Sequence, residues 1–261
     1  WCEMSIQEQH TPLAILGGGP AGYVAAIRAA QLGCKAIIVE AAALGGVCMN
    51  QGCIPTKALL RSSEVADTIR GSKEFGIESS LGRIAWNTAV ARKDRVVKNL
   101  HMGLSQLLIS KGITVLHGKG TLLSDRELLV ESEEATTRLI FDQMIVATGS
   151  EPIIPPIKGA DSPGVIGSTE ALELTEIPES IAIVGAGVIG LEFATMFRGA
   201  GSKVTVLETA PDILHGEDQD VTAELLKIMK RQGIGFKLSA AIKEITPSNG
   251  GLTLAYHDGK K

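Results

Sequence analysis

The sequence predicts an α/β protein made of two copies of one strand–turn–helix–strand unit. In the first copy an apolar run leads into a glycine-rich turn at 17–22, and in the second a similar run leads into a turn at 185–190. A helix rich in small residues follows each turn, and each copy then has a second apolar run that ends in an acid, Glu40 or Glu208. Every landmark of the second copy lies 168 positions after its counterpart, which indicates two domains of the same kind.

The glycines of each turn stand where a dinucleotide-binding fold needs them. The first permits the tight strand-to-helix turn, the second lets the backbone approach a pyrophosphate, and the third allows close packing of helix on strand. The helix that follows begins with free N–H groups and a partial positive charge, which favour an anion. A single glycine-rich turn also arises for packing alone, but here strand, helix and acid recur at the expected spacing in both copies. The predicted cofactor-binding residues are Gly17, Gly19, Pro20, Ala21 and Gly22 in the first copy and Gly185, Gly187, Val188, Ile189 and Gly190 in the second.

The acids that end the two second strands are predicted to bind ribose hydroxyls. Glu40 and Glu208 stand where the adenosine ribose of a bound dinucleotide would present its hydroxyl groups. A carboxylate there accepts hydrogen bonds from free hydroxyls and repels a 2′-phosphate. Because Glu208 is followed by Thr209, Ala210 and Pro211 with no arginine nearby, the second site is predicted to prefer NAD over NADP.

Two cysteines in a glycine-rich loop indicate redox chemistry. Cys48 and Cys53 are separated by four residues, in a loop that can fold back to bring the two sulfurs into bonding distance. Pro55 suits the first turn of a helix, which places Cys53 near a helix N-terminus, where the dipole lowers a thiol pKa. Lys57 lies one helical turn further along. A zinc site is disfavoured because no second pair of Cys or His follows at ligand spacing, and two unrelated buried thiols are the remaining alternative.

The same loop carries a family resemblance. The segment 45–60 has the pattern Gly-Gly-x-Cys-x-Asn-x-Gly-Cys-Ile-Pro-x-Lys-Ala-Leu-Leu, which resembles the active-site signature of the flavoprotein disulfide reductases, the family of lipoamide dehydrogenase, glutathione reductase and mercuric reductase. The helix at 22–33 is similar to the lipoamide dehydrogenase branch in particular. The segment 147–149 resembles the family motif that links the FAD domain to the NAD domain, and 190–194 resembles the start of its NAD helix. The match extends from residue 13 onward.

The resemblance implies a role for each candidate residue. It assigns the first turn and Glu40 to FAD, and the second turn and Glu208 to NAD. It makes Cys48 the interchange thiol that meets a dithiol substrate and Cys53 the flavin-side thiol, the two being joined in a redox-active disulfide. It places Lys57 near the flavin ring, paired with Glu192. The further FAD contacts that it implies are Gly46, Val47, Cys48, Lys57, Ala147, Thr148 and Gly149.

The activity that the resemblance implies is oxidation of protein-bound dihydrolipoamide to lipoamide with reduction of NAD. The implied partner is a lipoyl-bearing protein of a 2-oxo-acid dehydrogenase or glycine cleavage complex. Another NAD(P)H-dependent disulfide or mercuric reductase of the same family is one alternative, and a non-catalytic FAD-binding fragment is the other. The family also has a C-terminal dimerisation domain that supplies a His–Glu base, and none of the five histidines here is followed five positions later by Glu. We therefore expect a C-terminally truncated chain that lacks this base, and a homodimer for the full-length enzyme.

The expected organisation is an FAD-binding domain at 1–149, a Pro-rich connection at 150–178 and an NAD-binding domain at 179–261 that is incomplete at its C-terminus. The fold class is three-layer α/β, with two Rossmann-like domains and a small antiparallel β layer. The polar first eleven residues are expected to form an irregular arm. The predicted elements are strands at 13–17, 35–40, 113–120, 126–131, 138–141 and 142–147, helices at 20–32, 55–70, 87–111 and 218–232, and a strand at 252–256 followed by a hairpin turn at 258–261.

Composition excludes several other classes of function. A formal charge of −4, only 3% aromatic residues and the lack of a Lys/Arg cluster disfavour a nucleic-acid partner. No apolar run approaches the roughly 20 residues that a membrane-spanning helix needs, and the N-terminus lacks the apolar stretch of a signal peptide. We therefore expect a cytoplasmic protein, or the mature form of an organellar one, with no membrane partner. No metal site is expected either.

Overall fold

The computed structural model describes residues 6–257, which fall into two units. The first contains the residues up to Pro55 together with Asp94–Glu151, and the second contains Thr56–Lys93 together with the residues from Pro152 onward. Cys2, the first five residues of the expected arm and the expected turn at 258–261 lie outside the described residues.

Residues 6–146 provide four helices and six strands. In chain order these are β1 (Gln7–Leu16), α1 (Pro20–Gln31), β2 (Ala36–Glu40), α2 (Gly46–Asn50), α3 (Cys53–Gly71), α4 (Trp86–Ser110), β3 (Thr114–His117), β4 (Lys119–Ser124), β5 (Glu127–Glu131) and β6 (Thr136–Val146), with a short 3₁₀ turn at Ser72–Phe75.

All six strands of the first unit belong to one sheet, in the order β3-β2-β1-β6-β5-β4. The strands β3, β2, β1 and β6 run parallel, whereas β5 pairs antiparallel with both β6 and β4. On one face of the parallel part, Ile15 and Ile38 pack with residues of α1 and α4. On the other face, Val39 shares a core with Leu128 and Leu139 of the antiparallel part. The α/β fold class, with a small antiparallel layer, is confirmed.

Three predictions for this sheet were wrong. The first strand begins at Gln7 and not at 13, because 7–11 pairs in parallel with 137–141 of β6. The strands expected at 138–141 and 142–147 are one continuous strand, β6. The strand expected at 113–120 is broken near Gly118, whose φ of 151° and close approach to the backbone of Glu131 separate β3 from β4.

The long helix α4 buries only part of its apolar stripe, whose members are Val96, Leu100, Leu104, Leu107 and Leu108. Leu104 and Leu108 are buried, at 7% and 1% exposure. Leu100 and Leu107 are instead 42% exposed. Val96, the remaining member of the stripe, is half-buried. Among the described residues no helix, α4 included, has the length and apolar character needed to cross a membrane.

The second unit contains α3 from Thr56 onward, the first residues of α4 and a second parallel sheet. Its remaining elements are α5 (Ser168–Ala171), β7 (Ser180–Val184), α6 (Val188–Ala200), β8 (Lys203–Leu207), α7 (Gln219–Arg231), β9 (Gly235–Lys237), β10 (Ala241–Ser248) and β11 (Gly251–His257). The strands β7, β8 and β9 form a parallel sheet in that order. Its core centres on α6, where Phe193 and Phe197 stack with ring centroids 6.2 Å apart.

The strand predicted at 252–256 is β11. It pairs antiparallel with the preceding β10, a strand that the sequence analysis did not predict. The two join through a turn at 249–250, where Gly250 has a φ of 91° and therefore occupies the left-handed region. The predicted helix at 218–232 is α7, which starts with Asp218 as its N-cap.

In both units the helix after the glycine turn packs directly on that turn. A Cβ at Gly22 would collide with the carbonyl oxygen of Gly17, and a Cβ at Gly190 would collide with that of Gly185. Each of these Cβ atoms would also lie near an isoleucine of the preceding strand. The Cγ2 of Ile15 is 3.3 Å from the Cβ position of Gly22, and the Cγ2 of Ile183 is 3.5 Å from that of Gly190. Glycine is therefore required at both positions because no space exists for a side chain.

We predict that Gly22→Ala and Gly190→Ala each lower the thermal unfolding midpoint. Alanine is favoured over glycine in a helix by about 1 kcal/mol, but relieving the collision requires a backbone shift that costs typically about 1–3 kcal/mol. Gly103→Ala in α4 is the matched control, because a Cβ there meets no described atom within 4 Å. It should leave the midpoint unchanged or raise it. An alanine at 22 or 190 that melts at or above the wild-type midpoint would contradict the packing described here.

Candidate functional site

The first glycine turn is held between two strands of the first sheet. Gly17 has a φ of 106°, and its N–H donates to the carbonyl of Val39 at 2.8 Å. The N–H of Ala147 donates to the carbonyl of Leu16 at 2.8 Å, and a Cβ at Gly17 would collide with the carbonyl oxygen of Ala147. The structure thus brings the predicted residues of the first turn together with the start of the 147–149 segment, in which Gly149 has a φ of 74°.

Glu40 binds the backbone of the first turn. The N–H of Gly18 donates to Glu40 Oε2 at 2.6 Å, and the N–H of Ala42 donates to Glu40 Oε1 at 2.8 Å. Sequence analysis predicted the carboxylate but missed both donors. Each carboxylate oxygen can accept more than one hydrogen bond, so this arrangement leaves capacity for a ribose hydroxyl.

Glu208 repeats this geometry in the second unit. The N–H of Ala186 donates to Glu208 Oε2 at 2.7 Å and the N–H of Ala210 donates to Glu208 Oε1 at 2.9 Å, while the Thr209 hydroxyl donates to the same Oε1 at 3.0 Å. Gly185, with a φ of 105°, matches the conformation of Gly17. The repeat found in the sequence is therefore also a repeat of hydrogen bonds.

These hydrogen bonds determine the ionisation of Glu208. Burial by itself raises the pKa of the Glu208 carboxyl group, but the hydrogen bonds from Ala210, Ala186 and Thr209 together lower it by more. The pKa of Glu208 therefore lies below the ordinary value for glutamate. The side chain is ionised at neutral pH, in the form that accepts ribose hydroxyls and repels a phosphate.

The helices after the two turns begin without a side-chain cap. The N-cap residue of α1 is Gly19 and that of α6 is Gly187. Within residues 6–257, no side chain accepts a hydrogen bond from the first turn of either helix, and neither first turn contains an acid. The ordinary helix α7 differs on both points, because Asp218 accepts a hydrogen bond from the N–H of Asp220, and Asp220 is an acid in the first turn. The first N–H groups of α1 and α6 therefore remain available for an anion.

The approach to these uncapped N-termini is open. A Cβ at Gly187 would meet no described atom within 4 Å, and Val188 and Ile189 are 62% and 60% exposed. In the first turn, Pro20 and Ala21 are exposed. A dinucleotide could therefore reach both helix N-termini, where the uncapped N–H groups could donate hydrogen bonds to its pyrophosphate. The residues of both turns therefore fit the groups predicted for them.

The redox loop packs against the first turn. Its glycines Gly45 and Gly46 both have positive φ, at 95° and 58°, and a Cβ at Gly46 would lie 2.8 Å from the Cα of Gly19. Cys48, in the short helix α2, is half-buried, and Cys53 is the exposed first residue of α3. The candidate redox thiols thus lie on consecutive elements next to the first turn, with Val47 of the same loop 45% exposed.

Asn50 organises the redox loop, and sequence analysis gave it no role. Its Nδ2 donates to the carbonyls of Gly46 at 2.9 Å, Leu44 at 3.0 Å and Ala43 at 3.4 Å. One amide thus ties the end of α2 back to the residues that precede it. The sequence did contain a clue to this role, an asparagine between two cysteines in a Gly-rich loop. Asparagine side chains often form hydrogen bonds with nearby backbone groups.

Lys57 and Glu192 form an ion pair within the second unit. Lys57 Nζ donates to Glu192 Oε1 at 2.6 Å, joining α3 to α6. This is the pairing that the family resemblance implies. The placement of Lys57 and the two cysteines around one flavin stays a prediction.

We predict that Glu208→Gln lowers the thermal unfolding midpoint at neutral pH and that the deficit shrinks on acidification. The glutamine has one acceptor oxygen in place of two, so one donor loses its partner, at a cost of about 1–3 kcal/mol. Because the pKa of Glu208 is lowered in the folded state, its stabilisation is present above the ordinary glutamate pKa of about 4.3 and is lost as the pH falls through the lowered value.

The measurement is the midpoint of both proteins by scanning calorimetry from pH 7 to pH 3. The control is Glu217→Gln, at an exposed position in the segment after β8. Its unfolding midpoint should differ from that of the wild type by the same amount at every pH. A deficit for Glu208→Gln that is independent of pH would contradict the ionised network.

Comparison with known proteins shows which family the chain resembles. The family model described as pyridine nucleotide-disulphide oxidoreductase matches residues 11–261. A dihydrolipoyl dehydrogenase of Acholeplasma laidlawii is 43% identical over 239 residues, which cover 89% of this chain and 70% of that protein. One from Bacillus subtilis is 41% identical, over 89% of this chain and 51% of that protein.

A solved structure also matches. The HOCl-induced flavoprotein disulfide reductase RclA from Escherichia coli, in a mutant form with Cu(II), superposes with a TM-score of 0.81 at 30% identity, over 95% of this chain and 53% of that one. The chain spans about half the length of most of these relatives.

The family consists of oxidoreductases that use FAD and NAD(P), in agreement with the two predicted cofactor sites. The match to the family model over nearly the whole chain, together with the bacterial relatives, shows that the chain belongs to the pyridine nucleotide-disulphide oxidoreductase family.

Proposed function

We propose that this protein acts in the oxidation of protein-bound dihydrolipoamide to lipoamide, with NAD as the electron acceptor. The observation that carries the proposal is the packing of the loop with Cys48 and Cys53 on the first glycine turn, where Gly46 approaches Gly19. A dithiol-reactive loop against a dinucleotide turn is the arrangement that passes electrons between thiols and a flavin. The dihydrolipoyl dehydrogenases among the relatives support this choice of substrate.

The thiol chemistry requires an asymmetric pair of cysteines. One thiolate of the substrate attacks Cys48 Sγ of a Cys48–Cys53 disulfide, a substrate–Cys48 bond forms, and Cys53 leaves as a thiolate. The second substrate thiol loses its proton and attacks the substrate sulfur of that mixed disulfide. Lipoamide closes, and Cys48 is released. The substrate has then lost two electrons and two protons, and the cysteine pair has gained the two electrons.

The position of Cys53 suits the leaving thiolate. It is the first residue of the 19-residue helix α3, whose first turn contains no acid among its described residues. The partial positive charge of a helix N-terminus favours a negative charge nearby. We therefore assign the role of leaving thiolate to Cys53.

The cysteine pair must return to the disulfide for a second turnover. The chemistry that a bound FAD supplies is two-electron transfer from the pair to NAD⁺. The net reaction converts dihydrolipoamide and NAD⁺ to lipoamide, NADH and one proton. In the chain itself, the first turn and Glu40 would hold FAD, and the second turn and Glu208 would hold NAD. The ionised Glu208, with Thr209 and Ala210 after it, supports NAD over NADP.

The proton of the second substrate thiol needs a base. The family resemblance implies a His–Glu pair from a C-terminal domain of a neighbouring subunit, and we propose that the full-length enzyme uses such a pair as a homodimer. A lipoyl-bearing protein of a 2-oxo-acid dehydrogenase or glycine cleavage complex would be the partner.

We predict opposite spectra for two single cysteine variants of the purified, FAD-loaded protein. Cys48→Ser leaves the Cys53 thiol permanently reduced, so a long-wavelength absorption band from a thiolate beside the flavin should be present without any reductant. Cys53→Ser should lack this band even after anaerobic reduction with dihydrolipoamide. In the full-length enzyme, both variants should lose dihydrolipoamide-dependent NADH formation by at least about a hundredfold, because each removes one sulfur of the exchanging pair.

The control is Cys34→Ser, since Cys34 lies in the first unit outside the redox loop. It should keep the wild-type spectrum and activity. A band that survives in Cys53→Ser, or that is absent from Cys48→Ser, would refute the assignment of the flavin-side thiol.

Two other functions remain as alternatives, and each predicts a different result. Another disulfide or mercuric reductase of the family would oxidise NADH or NADPH faster with its own acceptor, such as glutathione disulfide or Hg²⁺, than with lipoamide. A non-catalytic FAD-binding protein would show no thiol-dependent electron transfer with any of them. Steady-state rates with these three acceptors separate the possibilities.

A further inference from the structure

The middle residue of the second glycine turn is held from two sides by the loop that follows β8. The N–H of Ala186 donates to Glu208 Oε2 at 2.7 Å, and the N–H of Leu214 donates to the carbonyl of Ala186 at 3.0 Å. All three residues belong to the second unit. We call Glu208 and Leu214, which bind the two polar groups of one backbone residue, the Ala186 clamp.

The first unit has the same pair of hydrogen bonds at the equivalent turn residue. The N–H of Gly18 donates to Glu40 Oε2 at 2.6 Å, and the N–H of Gly45 donates to the carbonyl of Gly18 at 2.9 Å. Gly18 lies 168 positions before Ala186. One of these loops leads into the redox cysteines and the other into α7, yet both fold back to bind the same residue of the turn. The repetition indicates that the turn itself requires both bonds.

The two backbone donors share an uncommon conformation. Gly45 has a φ of 95° and Leu214 has a φ of 51°, so both occupy the left-handed region. Glycine adopts it freely, whereas for a leucine it is unfavourable and persists only where the surrounding structure imposes it. The side chain of Leu214 packs against the core of the second unit, and the preceding Ile213 is 1% exposed. This packing therefore holds Leu214 in the conformation that directs its N–H to the turn.

The bond from Leu214 also fixes the direction of a second donor. The carbonyl of Ala186 and the N–H of Gly187 belong to one trans peptide, in which the two groups point in opposite directions. Because the carbonyl points to Leu214, the N–H of Gly187 points away from the loop. Within residues 6–257 this N–H has no acceptor, and Gly187 is the N-cap residue of α6, beside an open approach.

We propose that Leu214 is a positioning residue, which holds the Ala186–Gly187 peptide so that the Gly187 N–H donates to the pyrophosphate of a bound dinucleotide. Glu208 holds the same turn and also faces the ribose, whereas Leu214 acts only through the peptide. A donor that is already oriented before binding loses less conformational freedom when the ligand arrives, so it contributes more to affinity. The inference rests on the proposed function, in which the second turn holds NAD.

The first test removes the N–H of Leu214 and keeps its side chain. Leucic acid, the α-hydroxy counterpart of leucine, is incorporated at position 214 by nonsense suppression, so that an ester oxygen replaces the N–H. Binding of NADH, ADP-ribose and adenosine to the FAD-loaded protein is measured by isothermal titration calorimetry. The affinities for NADH and ADP-ribose should fall roughly tenfold, the loss expected for one hydrogen bond to a charged group. The affinity for adenosine, which has no pyrophosphate, should be unchanged.

The matched control is leucic acid at Leu174, a half-buried leucine that packs against the same core and whose N–H has no acceptor in the described part of the chain. It should bind all three ligands as the wild type does. An equal loss of affinity for NADH, ADP-ribose and adenosine at position 214 would mean that the bond only keeps the loop folded, which overturns the proposal. Unchanged binding of NADH and ADP-ribose overturns it as well.

A second measurement needs no variant, so it decides the question even if the ester at 214 prevents folding. Amide hydrogen exchange of the wild-type, FAD-loaded protein is followed by NMR with and without ADP-ribose. The Leu214 amide should exchange slowly in both states, whereas the Gly187 amide should exchange fast without ADP-ribose and slowly with it. A Gly187 amide that ADP-ribose does not protect would overturn the proposal. Neither measurement involves the thiols, so both results stand even if the protein does not oxidise dihydrolipoamide.

Discussion

The hydrogen bond from each glycine turn to the acid at the end of the following strand is the interaction on which both halves of the chain depend. Gly18 N–H binds Glu40, and Ala186 N–H binds Glu208. A turn that must present its helix N-terminus to a ligand cannot also have that N-terminus capped by a side chain. The carboxylate holds the turn from the side, through one N–H that precedes the helix. The turn is thus fixed while the first N–H groups of the helix stay available, whereas the Asp218 cap of α7 occupies such a group.

The sequence predicted those parts of the fold that depend on residues close together in the chain. Each strand–turn–helix unit, from Gly17 to Glu40 and from Gly185 to Glu208, spans about 25 residues, and the structure shows both units. The elements that were missed depend on distant partners. Residues 7–11 are polar and read as an irregular arm, but they extend β1 because 137–141 of β6 provides a parallel edge. No local pattern contains that information.

The same distinction applies to the candidate site. The predicted Glu208 was identified from its place in the chain, but its lowered pKa comes from the N–H groups of Ala186 and Ala210, whose directions only the folded turn reveals. Asn50 stood within the recognised motif, yet its three acceptor carbonyls are known only once the loop has closed. Ser63 and Met196 are 133 residues apart, so their hydrogen bond was beyond any reading by spacing. A motif names the reacting groups, and long-range packing sets their properties.

Helix α3 connects these two kinds of information. Its first residue, Cys53, belongs to the recognised redox motif, whereas its later residues Ser63 and Asp67 belong to the packing against α6. One 19-residue helix therefore contains both the end of the redox motif and residues that pack on α6. Gly199 of α6 lies outside the motif, and its identity is explained by the packing alone, because a Cβ there would lie 2.7 Å from the Cβ of Ser63.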